Sequence, residues 1–267
     1  MAVRKRTRIN YLSNTELLYE INQSKKTYSY FLDDKYSDFT VIINDFSEIT
    51  DELIERAKII KANQLNQTNL RNLAKKDATK SEIDAFMAKN HITEDMINLE
   101  DIVFRMMTFD HIPSEVQKNK KNLLNRIHFP PFKHYAYRDG ELVEVGRSHW
   151  VGGLQNGHYS SDHGKVSSNL SLAMIKLANR YGTKANFSGY SYLDEMKGQA
   201  LLQLSTVCLQ FDESRSNNPF SYFSQIIKTS FIKVLKLEKH QRNIRDEIMQ
   251  QELGMSSLSY QMDNEDY

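Results

Sequence analysis

Apolar positions in this chain recur mostly at helical spacing, and the period changes only in the middle. Residues 10–24 place Leu17, Leu18 and Ile21 on one stripe behind Ser13 and Glu16. A hydroxyl followed three residues on by a glutamate predicts a capped helix start. Residues 27–46 alternate aromatic and polar, with a β-branched run at Thr40, Val41, Ile42 and Ile43, and predict one or two strands. Residues 50–110 read as helical, with further starts at Ser81 with Asp84 and Thr93 with Met96, and an end at Pro113. Residues 132–146 alternate around Asp139-Gly140, a hairpin signal because glycine tolerates positive φ at the turn. Residues 147–168 hold Trp150, Gly152, Gly153, Gly157 and Gly164 and read as an irregular loop. Helical spacing resumes over about 168–181, 191–211 and 219–248, and the polar, acidic end reads as a mobile tail.

Helical phase sorts the faces of the last two helices. In the first, Leu193, Met196, Ala200, Leu204, Val207, Cys208 and Phe211 form the core stripe. Its opposite side carries Glu195, Gly198, Gln199, Leu202, Thr206 and Leu209, with an acidic end at Asp194 and Glu195. Two leucines on that side fit either a helix buried all round or a protein-binding face. In the second, Phe223, Ile226, Ile227, Phe231, Val234, Leu235 and Leu237 share the apolar arc. The opposite arc holds Tyr222, Gln225, Thr229, Lys233, Lys236 and His240, flanked by Lys228 and Lys239.

Charge sharpens this picture. The 267 residues include 35 basic and 34 acidic ones, so a basic signal for nucleic acid has to be local. It is local here: from Lys228 to Arg245, Glu238 is the sole acidic residue among six lysines and arginines. A helix of roughly 20 residues is about 30 Å long and spans several phosphates of a duplex. Phe220, Tyr222 and Phe223 stand at its start after Pro219. Phe223 lies on the apolar arc. Tyr222 faces the polar arc, where a ring can stack on an unpaired base. A second basic group, Arg4, Lys5, Arg6 and Arg8, opens the chain with no apolar stretch behind it, so it does not read as a secretory signal. No run approaches the length of a membrane span. The single cysteine, Cys208, sits on a core stripe and reads as a buried thiol.

His128, His134, His149, His158 and His163 gather in the loop-rich middle, with Asp162 close by. They have neither cysteine partners nor a paired helical spacing, so they predict no metal site. The glycines near Asn156-Gly157-His158 lack the GK[ST] ending of a phosphate loop. No nucleophile–base pair or carboxylate dyad has a convincing context, and no catalytic residue or cofactor is expected.

Leu193-Asp194-Glu195-Met196-Lys197-Gly198-Gln199-Ala200-Leu201, then Phe211-Asp212, then Phe220-Ser221-Tyr222-Phe223-Ser224, follow one another in a telling order. The order and spacing resemble region 2 of bacterial sigma factors, which reads D-L-x-Q-E-G-x-x-G-L, then F-D, then F-S-T-Y-A on a long basic helix. The late-transcription sigma factors of large myoviruses are more similar still. Their RFNFSGY-like segment is matched by Ala185-Asn186-Phe187-Ser188-Gly189-Tyr190. Their Phe-Asp-Glu and Asn-Pro are matched by Phe211-Asp212-Glu213 and Asn218-Pro219, and their Asn-Tyr and Glu-Leu-Leu by Asn10-Tyr11 and Glu16-Leu17-Leu18. The likeness covers residues 10–24 and roughly 165–245. Ile226 and Ile227 stand where bacterial sigma factors carry paired tryptophans, so the likeness does not extend to that melting device.

The resemblance implies a mainly α fold, a helical region 2 bundle at 165–248 with an inserted α+β region at 26–164 that contains the hairpin. Residues 1–25 would be a basic arm and first helix, and 249–267 an acidic tail. The implied partners are the core RNA polymerase of a bacterial host, through its clamp coiled coil, and promoter DNA, in the cytoplasm of the infected cell. Asp194, Glu195, Gly198, Gln199, Leu202, Thr206 and Leu209 would meet the polymerase. Phe220, Tyr222, Gln225, Lys228, Thr229, Lys233, Lys236, Lys239 and His240 would meet DNA. Leu258, Tyr260 and Met262, with Leu253 ahead of them, resemble the family's peptide for the sliding clamp, which acts with a late coactivator. The chain after the basic helix is too short for a second promoter-reading domain, so a minus-ten-like element is the expected target. Two alternatives stay open on the residues: an enzyme or metal-binding protein with its site in 128–165, and an adaptor whose basic helix binds protein.

Overall fold

Helix starts follow the chemistry of the residue just ahead of them. The computed structural model describes residues 13–75, 78–114 and 127–253. Helix α1, Asn14–Lys26, opens on the expected capping box. Ser13 Oγ accepts from Glu16 N, and Glu16 Oε2 accepts from Ser13 N, both at 3.1 Å. Helix α2 is Asp51–Lys75. Helix α3, Lys80–Asn90, starts on a box of Thr79 with Glu82, two residues ahead of the Ser81 start expected. The glutamate reaches back to Thr79 N at 2.7 Å, which the shorter Asp84 leaves undone for Ser81.

The chain forms two compact units. One comprises Tyr19–Ser167 and Leu209–Asn217; the other comprises Met1–Leu18, Ser168–Cys208 and Asn218–Tyr267. The boundaries expected at 25/26 and 164/165 stand seven and three residues from the divisions at 18/19 and 167/168. In addition, the polar turn 209–217 joins the first unit.

That first unit is built on a five-stranded sheet. Its strands are β1 Ser29–Phe31, β2 Val41–Ile43, β3 Val103–Met107, β4 Phe132–Arg138 and β5 Glu141–Ser148, in the order β1-β5-β4-β3-β2. Only β2 and β3 pair in parallel. The β4–β5 hairpin turns at Asp139 (φ 52°) and Gly140 (φ 84°), the pair of left-handed residues that a two-residue turn needs. Ile43 and Phe104 pack with Ala57 and Ala62 of α2 and with Ile97 and Ile102. Tyr36, Val103, Ala136 and Val145 form another cluster. A small ladder, β6 Trp150–Val151 with β7 His158–Tyr159, lies within the predicted loop.

Strand β3 corrects the helical reading of residues 94–110. Short 3-10 turns occupy Glu94–Met96 and Leu99–Asp101, and the strand follows. Val103, Phe104 and Arg105 are all buried, because β3 lies inside the sheet. A strand covered on both faces lacks the polar–apolar alternation of a half-exposed one, so period alone does not separate it from a helix.

The second unit is helical. Helix α4, Ser168–Gly182, buries Leu170, Ala173, Met174, Leu177 and Ala178, an apolar stripe at i, i+3, i+4, i+7 and i+8. Helix α5, Leu193–Val207, buries Met196, Ala200 and Leu204. Helix α6, Pro219–Leu253, buries Phe223, Ile227, Phe231 and Val234. Phe187, from the segment between α4 and α5, meets Phe231 edge-on at 5.1 Å and Tyr181 at 5.6 Å. The Asn-Pro pair starts α6 for two reasons. Asn218 Oδ1 accepts from Ser221 N at 3.0 Å, and Pro219 fills the first helical position, where no N–H is needed.

Two readings near these helices shift. Helix α5 ends at Val207, not 211, and gives way to a 3-10 turn, Cys208–Gln210. Helix α6 continues through 249–253, residues expected in the tail.

Candidate nucleic-acid interface

Helix α6 is 35 residues long and carries one solvent face rich in cations. Gln225, Lys228, Thr229, Lys233, Lys236, Lys239 and His240 are all exposed. At about 100° per residue they span roughly 140° of the helix circumference. Gln225, Lys236 and Thr229 sit near the middle, with lysines on both flanks. The packed side of the same helix holds Phe223, Ile227, Phe231 and Val234 at 4% exposure or less. Leu237, expected in that core, is 51% exposed. It stands at the edge of the stripe, about 60° from Val234 and three residues along, where the neighbouring helices no longer cover it.

The first turn of α6 changes the role of one aromatic. The Tyr222 hydroxyl donates to Val207 O at 2.9 Å, and the side chain is half-buried. Burial, with Cys208 close by, pushes its phenol up to about 12, so it remains a protonated donor. Tyr222 therefore closes the end of α5 instead of standing on the wet arc. Phe220 is the exposed ring, at 43%. Its backbone N–H donates to Asn14 Oδ1 at 3.1 Å, which fixes the ring's starting point.

Helices α5 and α6 run antiparallel. Tyr222 at the start of α6 meets Val207 at the end of α5, while Tyr190 and Tyr192, just ahead of α5, border Leu235–Arg245 of α6. The outer side of α5 is open: Asp194, Glu195, Gly198, Leu202 and Thr206 are exposed and Gln199 is half-exposed. Leu202 is 63% exposed, high for a leucine in mid-helix. Asp194 accepts from Lys197 Nζ at 2.9 Å. Leu209 departs from the helical-phase expectation and is 3% exposed. It lies in the 3-10 turn, where about 120° per residue replaces 100° and turns the side chain inward.

The Phe211-Asp212-Glu213 motif has its own anchor, within the sheet unit. Lys25 Nζ donates to Phe211 O at 2.7 Å and to both Glu213 carboxylate oxygens at 2.7 and 2.8 Å. Asp212 Oδ1 accepts from Ser214 N at 3.0 Å, and Arg215 pairs with its other oxygen at 3.2 Å, which tightens the turn.

The central histidines are structural in their surroundings. His134 is fully buried; its Nδ1 meets Tyr36 O at 2.8 Å and its Nε2 accepts from Arg105 Nε at 2.9 Å. This geometry makes Nδ1 the protonated nitrogen. The Arg105 guanidinium lies 3.8 Å from both the Phe39 and Phe132 rings. His149 is buried 4.1 Å from the Phe129 ring, while His128 and His163 pack on Tyr28. His158 is exposed. Among the described residues no group of three or more His, Cys, Asp or Glu side chains is arranged to hold a metal ion.

Arg4, Lys5, Arg6 and Arg8, and the tail residues Leu258, Tyr260 and Met262, lie outside the described residues. Among the described residues no helix is long and apolar enough to cross a membrane. Helical phase did not bring Tyr190 and Tyr192 into the site, because they precede α5; a Tyr-x-Tyr pair ahead of a helix was the available signal. No family model matches the chain, and no curated protein or solved structure matches it.

Proposed function

We propose that the chain is a sigma-type transcription initiation factor of the phage late class, which acts by binding and carries out no covalent chemistry. The observation that carries this reading is the exposed cationic arc of α6, set on a helix packed antiparallel to α5. Lys228, Lys233, Lys236 and Lys239 would neutralise backbone phosphates and fix register, while Gln225 and Thr229, between them, would meet base edges. Phe220 would stack on a base that leaves the duplex. The open side of α5, from Asp194 to Thr206, would dock on the clamp coiled coil of a host core polymerase, with Leu202 as its apolar contact. The tail would hold the sliding clamp, and the coactivator would act alongside it. The site of action would be the cytoplasm of the infected host.

The test is run-off transcription with purified core polymerase on late-type templates, with and without this chain, and with the sliding clamp and coactivator added. Initiation that depends on the chain, and that drops when Lys228, Lys233 and Lys236 become glutamine, supports the reading. Unchanged initiation under all these conditions sinks it.

A further inference from the structure

A second feature of α6 adjoins the arc just described. Between Tyr190–Tyr192 and the α6 segment Leu235–Arg245 is a cleft of about 500 Å³. That falls within the range of about 300–1,000 Å³ usual for clefts that hold small ligands. One wall is aromatic: the Tyr190 and Tyr192 rings lie 5.2 Å apart, tilted by 37°, and Tyr190 is 41% exposed. The other wall carries Lys239, Arg242 and Arg245, with Glu238 among them.

We propose that this cleft binds an unpaired nucleotide of single-stranded DNA, its base against the two tyrosines and its flanking phosphates on the three cations. One exposed and one half-exposed ring with cations opposite match the two faces of a nucleotide, a flat π-surface and an anionic backbone. A paired base offers no free face to a ring, because both faces are stacked within the duplex. Glu238 repels phosphate and accepts N–H groups, so it orients the base edge toward itself and the backbone toward Arg242 and Arg245. Lys239 also belongs to the cationic arc, so a strand leaving a duplex on that arc reaches the cleft without crossing a neutral gap. The choice of DNA rests on the promoter reading above; the aromatic–cationic geometry does not depend on it.

The experiment measures fluorescence anisotropy with the full chain, a labelled single-stranded DNA oligonucleotide and the duplex of the same sequence. The double variant Tyr190→Ala/Tyr192→Ala is expected to weaken single-strand binding by about tenfold or more and to leave duplex binding unchanged. Tyr190→Phe/Tyr192→Phe, which keeps both rings, is expected to bind like the parent. Arg245→Glu, an exposed change that disturbs no packing, is expected to weaken single-strand binding several-fold. An oligonucleotide of abasic sites is expected to bind the parent as weakly as the intact one binds the alanine variant. The proposal is overturned if the alanine variant keeps parental single-strand affinity, or loses single-strand and duplex binding equally with its melting curve unchanged. An RNA oligonucleotide bound more tightly than DNA overturns the DNA assignment. The two readings fail separately. Tyrosine-dependent single-strand binding without transcription keeps the cleft and removes the sigma reading; transcription with no tyrosine-dependent binding does the reverse.

Discussion

Lys25 has no exposed surface, yet its ammonium is fully engaged by one backbone carbonyl and one carboxylate. Burial pulls its pKa below the ordinary lysine range, and Glu213 opposes that shift. Removing one partner of such a pair leaves the other charge buried and costs about 3–5 kcal/mol, whereas replacing both with apolar groups recovers much of the loss. Lys25→Met should therefore lower unfolding free energy by about that amount, and Lys25→Met/Glu213→Leu should be more stable than Lys25→Met alone. Chemical denaturation followed by fluorescence measures both. This pairing is not legible in the sequence, where the partners stand 188 residues apart. Lys25 reads there as an ordinary last-turn lysine of an exposed helix end. The same limit hides Arg105, whose partners Asn22 and His134 come from distant segments. Tyr222 was misplaced for a related reason. Phase puts it on the outer arc, but the end of α5 comes to meet it there.

Secondary-structure elements were the most legible level, wherever local chemistry fixes them. The Ser13–Glu16 box, the Asn218-Pro219 start and the Asp139-Gly140 turn all lie within a few residues of sequence. A Cβ at Gly140 would meet nothing within 4 Å, so Gly140→Ala isolates the cost of positive φ. It should destabilise the protein by about 1–2 kcal/mol, measured by thermal or chemical unfolding. Strand β3 was not legible, because its burial depends on what the rest of the sheet places over it. For α6, phase was enough to expose the cationic arc. If that arc lies along duplex phosphates, Lys228→Gln/Lys233→Gln/Lys236→Gln should reduce the slope of log K against log salt by about 2.7, at about 0.9 per phosphate. A salt titration of duplex affinity reads this directly, and an unchanged slope removes these three lysines from the contact.

At the scale of the molecule, titratable burial is uneven. His111, His134 and His149 belong to the sheet unit. Burial, together with the Lys133 and Arg147 charges, lowers His111 to about 4. Burial, with other histidines close by, lowers His149 to about 3. Burial beside Arg105 holds His134 well below the usual histidine range. A folded pKa below the unfolded value of about 6.5 means that the unfolded chain binds more protons between the two. Stability is therefore full above about pH 6.5 and falls as pH drops through that window, by roughly 2 kcal/mol per imidazole between pH 7 and 5. Trp150, the only tryptophan, lies in this unit and reports on it. Its fluorescence should change on acidification before the helical signal of α4, α5 and α6 is lost. His149→Asn, which does not titrate and tolerates the φ of 51° at that position, should lessen the loss of stability between pH 7 and 5 by about 2 kcal/mol. The two-unit division was only partly legible. The return of helical spacing at about 168 marks the change, but nothing in the residues 209–217 announces that they belong with a sheet built earlier in the chain.

That nesting has a consequence in time. During synthesis, β1 waits for β5, whose Gly146–Ser148 are its partners, and β2 waits for β3 across the whole of α2 and α3. When Ser167 has been made, every strand of the sheet exists, yet Lys25 still lacks the Phe211 carbonyl and the Glu213 carboxylate. The helical unit comes later again, because Asn14 Oδ1 accepts from Phe220 N, made more than 200 residues later. Asn14, made early, is thus among the last to find its partner, and a ribosome that stops between 167 and 211 releases a sheet whose Lys25 has neither the Phe211 carbonyl nor the Glu213 carboxylate.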